Sequence, residues 1–265
     1  MLIKSKGLQT DLFIFRMTSK VIARANYTVI KTKNMPDYFW GNQIMLHKNP
    51  KILDYDFCLK TFTNEFSDFK NLKHLLFTFD KDVKLSDSLR SSFTKNNFKI
   101  EATIVLSKKD TLNFKSINKH NISVKKISHE SDWAQVKHLN LLVNEDEEGI
   151  SEEFIHAKYN DYRKLINGGH GSWYGAFIGE KLVADFGLIG NKEFGRFQNV
   201  ETHPEFRNRG ICKHLVATIS QRAFRNNDHK ELIIEAEEGS VAYKIYKSLG
   251  FTVEEELYEV FSAIR

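Results

Sequence analysis

Cysteine is scarce. Cys58 and Cys212 are the only two in 265 residues, and they stand far apart with no ligand-like spacing. That excludes a disulfide framework and a zinc cluster, so the expectation is a reducing cytoplasm and no metal. Proline is nearly as rare, at three, and glycine stops at fourteen, which excludes a disordered or collagen-like chain. No run of about 18 apolar residues occurs, so neither a transmembrane helix nor a membrane partner is expected. The opening Met1-Leu2-Ile3-Lys4-Ser5-Lys6 lacks the apolar stretch and small-residue cleavage site of a signal peptide.

What is present is a globular balance, 41% hydrophobic and 28% charged. The length suits one large core or two modest ones, since domains run to ~100–150 residues. Charge is unevenly spread. Residues 1–120 hold 21 Lys+Arg against 11 Asp+Glu, while the remainder is net acidic. A basic half can attract polyanions such as nucleic acid. A lysine-rich solvated surface is the commoner meaning, and no nucleic-acid motif accompanies the charge, so a nucleic-acid partner is not expected.

Phe13–Met17, Val21–Ala25, Tyr27–Thr32 and Gln43–Leu46 read as strands from their β-branched and aromatic content, interrupted by a turn at Asn34-Met35-Pro36-Asp37. Phe57, Phe62, Phe66 and Phe69 share a helical face, which predicts a helix over Asp56–Phe69. Leu75–Phe79 is a short apolar strand, Ser86 caps a helix to about Lys95, and Ile100–Leu106 is another strand. The polar stretch 107–121 sets the expected boundary between domains 1–115 and 122–265. Beyond it the pattern predicts a strand at Ser123–Ile127 and a helix from Ser131-Asp132 to Val143. The acidic loop Glu145–Glu148 and a helix over Glu152–Ile166 follow. Trp173–Ile178 and Leu182–Ile189 form a hairpin about Gly179-Glu180. A strand at Arg196–Thr202, a helix at Gly210–Phe224, a strand at Leu232–Glu235, a helix at Ser240–Leu249 and a strand at Tyr258–Ala263 complete it. Both halves end in helix, apolar strand, helix, Asn-Phe or Gly-Phe, strand, which suggests an internal repeat of one α/β unit.

The most informative stretch runs from Val200 to Lys213. Pro204 stops the strand's hydrogen-bond ladder just past Thr202. A tight loop then enters an amphipathic helix with Leu215, Val216, Ile219 and Phe224 on its apolar side. Uncapped N–H groups at a helix start, with the dipole behind them, attract an anion. Gly210 lets the backbone approach a phosphate closely. Arg207, Arg209 and Lys213 add positive charge.

On these residues the sequence resembles the GNAT acetyltransferase superfamily. The superfamily's coenzyme loop reads Gln/Arg-x-x-Gly-x-Gly/Ala, and this chain has Arg207-x-x-Gly210-x-Cys212, departing at the last position. A second match, to Asn-x-x-Ala-x-x-Leu-Tyr-x-x-x-Gly-Phe, is Gly239-x-x-Ala242-x-x-Ile245-Tyr246-x-x-x-Gly250-Phe251. The resemblance spans about residues 122–265. It implies an α/β (α+β) chain of tandem GNAT-like folds, each a mixed, mostly antiparallel sheet flanked by helices, with a degenerate N-terminal copy. Pro36-x-x-x-Trp40-Gly41-Asn42 looks shared with two-domain members, although such an element is more often a tight turn than a site.

The activity implied is acetyl-CoA-dependent N-acetylation of a primary amine on a small molecule or peptide. By resemblance the backbone of Val200, Glu201 and Thr202 pairs with the pantetheine arm. That of Asn208, Arg209, Gly210, Ile211, Cys212 and Lys213 holds the pyrophosphate, and Tyr246 is the general acid. Glu201, Glu235 and Glu237 stay open as general bases, His203 more readily fills its turn, and Cys212 is structural. The acidic loop would favour a cationic amine, while a merely solvated loop explains the acids equally well. Two other classes fit less well: a sensor that binds acyl-CoA without turnover, and a transferase using aminoacyl-tRNA. The stretch before the first N-terminal repeat helix has no glycine and carries Asp54 and Asp56, so one coenzyme per chain is expected.

Overall fold

The computed structural model describes residues 3–110, 121–145 and 150–263. The polar segment 111–120 and most of the expected acidic entrance, 146–149, lie outside the described residues. The chain divides into two units, Met1–Val105 with Glu254–Arg265, and Leu106–Val253. In chain order the first elements are α1 (Lys6–Thr18), β1 (Lys20–Ala23), β2 (Tyr27–Lys31), β3 (Gln43–Leu46), α2 (Tyr55–Glu65), β4 (His74–Phe79), α3 (Asp87–Lys95) and β5 (Lys99–Lys108). They continue with β6 (Ile122–Lys126), α4 (Glu130–Val143), α5 (Glu152–Asn167), β7 (Gly171–Ile178), β8 (Lys181–Gly190) and β9 (Phe194–Thr202). The last are α6 (Ile211–Arg225), β10 (Glu231–Glu237), α7 (Val241–Ser248) and β11 (Thr252–Ala263). The chain leaves the first unit along β5 and re-enters it along β11.

The first unit orders its strands β1-β2-β3-β4-β11-β5. β3 and β4 are parallel; β1/β2, β2/β3 and β4/β11 are antiparallel. Its core is dominated by phenylalanine: Phe62 stacks on Phe66 at 4.3 Å, and Phe93 meets Phe98 at 5.1 Å and Phe77 at 6.1 Å. The expected strand at Phe13–Met17 is instead the C-terminal part of α1. Leu8, Leu12 and Phe15 are buried at helical spacing, and Ser5 caps the helix by accepting from Leu8 N–H. That periodicity outweighs the local β-propensity of Phe13-Ile14-Phe15. α2 ends at Glu65, four residues short of expectation, because the chain turns with Phe69 N–H donating to Phe66 O. Asn42 holds the Trp40-Gly41-Asn42 turn: Thr32 N–H donates to its Oδ1, and its Nδ2 donates to Met35 O and Tyr38 O.

The second unit orders its strands β10-β9-β8-β7-β6, antiparallel except for the parallel pair β9/β10. α4 packs on β8 and β9, α5 on β7 and β8, α6 on β7, β8 and β9, and α7 on β10. β8 is central and buried along its length after Lys181. Trp173 anchors an aromatic cluster with Tyr162, Tyr159 and Trp133 at 4.9, 5.2 and 5.8 Å. α4 opens at Glu130 rather than at Ser131-Asp132, since the Asp132 carboxylate is taken by Lys125 Nζ at 3.0 Å and does not cap.

The expected repeat is visible in the order of elements. α1-β1-β2-β3-α2-β4-α3-β5 runs parallel to α5-β7-β8-β9-α6-β10-α7-β11. Ser86 caps α3 and Ser240 caps α7 in the same way. Phe98 N–H closes onto Phe93 O at 3.0 Å, and Phe251 N–H onto Tyr246 O at 3.1 Å. Asn97 and Gly250, at φ 63° and 82°, make these two turns. The proportions of strand and helix and their mixed, mostly antiparallel arrangement are those expected from the sequence.

Candidate active site

The second unit's sheet opens at one place. β9 and β10 pair only from Phe194/Glu231 to Arg196/Ile233, although β9 continues to Thr202 and β10 to Glu237. Residues 197–202 and 234–237 therefore face a gap in the sheet. On its other side β9 stays with β8, but with a bulge: Asp185 opposes Glu201 and Gly187 opposes Gln198, so Phe186 of β8 stands against both Asn199 and Val200 of β9. Asn199 takes φ 48° there. A bulge leaves its extra residue outside the ladder, so this backbone offers polar groups to a ligand beside Val200.

Past Thr202 the chain makes a single 3-10 turn at Pro204–Phe206 and enters α6. His203 serves that turn: its Nδ1 accepts from Glu205 N–H at 3.3 Å, and its ring meets Phe206 edge-on at 5.2 Å. Asn208 and Gly210 both sit in the left-handed region, at φ 62° and 74°. Gly210 is the N-cap of α6 with no side-chain cap bond, and a Cβ built on it meets nothing within 4 Å. The first intrahelical donor is His214 N–H, to Gly210 O, so Ile211 and Cys212 lie in the turn whose donors point outward. Arg207 Nε holds Thr202 O at 3.3 Å and Arg209 Nη2 holds Glu205 O at 3.0 Å, which fixes the loop and keeps two guanidinium groups beside the helix start. Donors, dipole and positive charge converge there without an acidic side chain as cap. Such a place accommodates a phosphate group.

Tyr246, on α7, is 2% exposed. Burial raises its phenol well above the usual tyrosine value; Cys212 adds to this and Arg196 opposes it. It is therefore a proton carrier at neutral pH. Cys212 is pushed up to about 12 by burial, which keeps it a thiol and a poor nucleophile. Arg196 is buried at the last paired position of β9 and forms an ion pair with Glu235 of β10. That pair occupies one of the three carboxylates considered as bases. Glu237 is exposed at the end of β10. Glu201 accepts from Asn140 Nδ2 of α4.

The loop and the strand end were expected from local spacing, and Tyr246 from the resemblance. The bulge at Asn199, the Arg196–Glu235 pair and the Asn140 and Asp185 contacts were not, because each depends on strand register. A single Asp within the apolar stretch 182–189 was the one visible cue to Asp185. Among the described residues no helix is long and apolar enough to cross a membrane, and no group of three His, Cys, Asp or Glu is arranged around a metal.

Residues 174–260 match the family described as FR47-like protein. Comparison with curated protein sequences gives no match. The fold is shared with a conserved protein of unknown function from Staphylococcus epidermidis ATCC 12228, at TM-score 0.72 and 12% identity over 94% of this chain and 96% of the other. It is also shared with a GCN5-related N-acetyltransferase from Kribbella flavida, at TM-score 0.65 and 12% identity over 96% and 93%. A tandem GNAT protein from the clavulanic acid biosynthesis pathway gives TM-score 0.58 and 13% identity over 83% and 73%. The chain thus shares its fold along nearly its whole length with a GCN5-related N-acetyltransferase, and residues 174–260 carry the FR47-like match.

Proposed function

We propose that the protein is an acetyl-CoA-dependent N-acetyltransferase acting on a primary amine of a small molecule or peptide. The observation that carries this reading is the gap between the parallel strands β9 and β10, beside the glycine-capped start of α6. A ligand with an extended arm and a phosphate-bearing end suits that pairing. The arm would lie along the backbone of Val200, Glu201 and Thr202, and the phosphates against Asn208, Arg209, Gly210, Ile211, Cys212 and Lys213. Acetyl-CoA supplies the acyl thioester. Backbone N–H groups at the β9 bulge polarise its carbonyl, a stabilisation typically worth ~10²–10³ in rate per donor. The Tyr246 hydroxyl gives its proton to the departing sulfur, and a carboxylate takes the proton of the attacking amine. A GCN5-related N-acetyltransferase among the proteins of the same fold accords with this chemistry.

Mixing the protein with acetyl-CoA and a panel of cationic, neutral and anionic primary amines, and measuring thiol release, tests the reading. Thiol release with at least one cationic amine is expected. Tight coenzyme binding with no release from any amine would favour an acyl-CoA sensor instead, and release confined to neutral or anionic amines would remove the preference for a cation.

A further inference from the structure

Three side chains around the bulge of β9 are held by the two helices that pack together over the second unit's sheet. Gln198 accepts from the Tyr162 hydroxyl of α5 at 3.1 Å. Asn199 Nδ2 donates to the Tyr159 hydroxyl of α5 at 3.4 Å. Glu201 accepts from Asn140 Nδ2 of α4. The two helices share one face of the sheet, because Trp173 meets Trp133 of α4 at 5.8 Å, and Tyr159 and Tyr162 of α5 at 5.2 and 4.9 Å.

A regular strand cannot make these three bonds to one face. Its side chains alternate, so Gln198 would face one way, and Asn199 and Glu201 the other. The bulge removes the conflict. Asn199 and Val200 together oppose Phe186, and this extra residue brings Glu201 back to the face of Gln198. The left-handed backbone of Asn199, at φ 48°, turns its side chain toward Tyr159. Such a conformation inside a strand is strained, and it persists only where its surroundings over-determine it. The competing arrangement follows from the register. With Gln198 opposite Gly187, an unbroken ladder would set Val200 against Asp185 and Glu201 against Ala184, one residue away from the observed pairing. A slip of one residue turns every following side chain to the other face. It also exchanges the strand edge to which each N–H points, since successive N–H groups alternate between edges. The bulge therefore decides which N–H groups of residues 200–202 face the gap beside β10.

We propose that Tyr159, Tyr162 and Asn140 are positioning residues that select the bulged register of β9 and so aim its backbone N–H groups at the acetyl carbonyl. Tyr159 is at the centre of this arrangement. It is fully buried, and its ring is wedged between Trp173 and Tyr162. Burial, and then the charges of Glu201 and Asp185, raise its phenol well above the usual tyrosine value, so the hydroxyl stays neutral. All three residues act through β9 and not on the substrate. Register selection stands independently of substrate; its catalytic use rests on the N-acetyltransferase reading.

Amide hydrogen exchange of the full chain without substrate, read residue by residue by NMR, tests the selection. Asn199→Val supplies the reference for an unbroken ladder, because a branched side chain does not tolerate φ 48°. The double variant Tyr159→Phe and Tyr162→Phe keeps both rings and loses only the hydroxyls. Its exchange rates across residues 199–202 are expected to move at least tenfold from wild type, toward the Asn199→Val pattern. Tyr159→Phe alone should move them at least threefold in the same direction. A folded double variant with the wild-type pattern, or an Asn199→Val chain that keeps that pattern, overturns the selection. For its catalytic use, the double variant should lower kcat per folded molecule at least tenfold with the fastest amine of the panel, with KM for that amine within about threefold. Restoring Tyr159 alone should recover most of the loss. Lower stability with an unmoved kcat makes the two tyrosines packing residues and overturns that use. A wild type that turns over no amine sinks the N-acetyltransferase reading, with the exchange result still deciding the register.

Discussion

Gly210 adopts φ 74° in open surroundings, so a side chain there is strained but meets no obstacle. Gly210→Ala is therefore expected to cost about 1 kcal/mol of stability and to leave coenzyme A affinity within a few-fold. Gly210→Glu puts a carboxylate where the phosphates are expected. Losing two charge-assisted hydrogen bonds of roughly 1.5–3 kcal/mol each would weaken binding about a hundredfold or more. Titration calorimetry with both variants separates strain from charge, and equal affinities would displace the phosphates from this loop. Tyr246→Phe is expected to lower kcat by ~10²–10⁴ with a much smaller change in KM, the signature of a lost proton donor. Unaltered kcat would make Tyr246 a packing residue. The place of Gly210 at a helix start and of Tyr246 within a helix was legible in the sequence, because each depends on neighbours in the chain. That of Asn199 was not, since its bulge shows only against Phe186 on another strand.

At the scale of elements, the capped helices were the most legible. Ser86 and Ser240 each precede a helix and each accept the expected backbone N–H. Ser240→Ala should cost about 1 kcal/mol in a denaturant titration, and no loss would mean α7 is held by packing alone. β11 was the least legible. Only its apolar end, Tyr258–Ala263, reads as a strand, because Glu254-Glu255-Glu256 carries no strand signal. Those acids are held by the chain's start: Glu255 Oε1 accepts from Ser5 Oγ at 2.5 Å and Gly7 N–H at 3.0 Å, and Lys6 pairs with Glu254 at 2.8 Å. Further along β11, burial lifts Glu259 from the ordinary 4.5 to about 7, with the charges of Asp11 and Glu101 adding and a bond from Trp40 opposing. A folded-state pKa above the unfolded one means that the associated stability is full below about pH 4.5 and is lost as pH rises through about 7. Glu259→Gln should thus gain melting temperature relative to wild type between about pH 5 and 8. A difference that stays flat across that window would show that Glu259 ionises as it does in the unfolded chain.

At the scale of the whole molecule, one coenzyme A per chain is expected, although two units share one order of elements. β3 and β4 stay paired to their last residues, Leu46 and Phe79, where β9 and β10 have already separated. Asp54 stands at the start of α2 in the place that Gly210 holds for α6, and its own carboxylate accepts from Phe57 N–H at 2.8 Å. The position matching Tyr246 is Phe93, which has no hydroxyl. Calorimetry on the intact chain should give a stoichiometry near one, and two equivalent sites would overturn the assignment. The route of β11 adds a constraint on how the protein is made. This strand lies between β4 and β5 in the first unit's sheet, yet it is translated after everything in the second. On the ribosome, residues 3–105 would wait with two strand edges unmatched until β11 emerges. A nonsense mutation after Val253 would leave the second unit's own residues intact and deprive the first of an inner strand. Such a lesion should therefore expose residues 3–105, far upstream of it, to proteolysis.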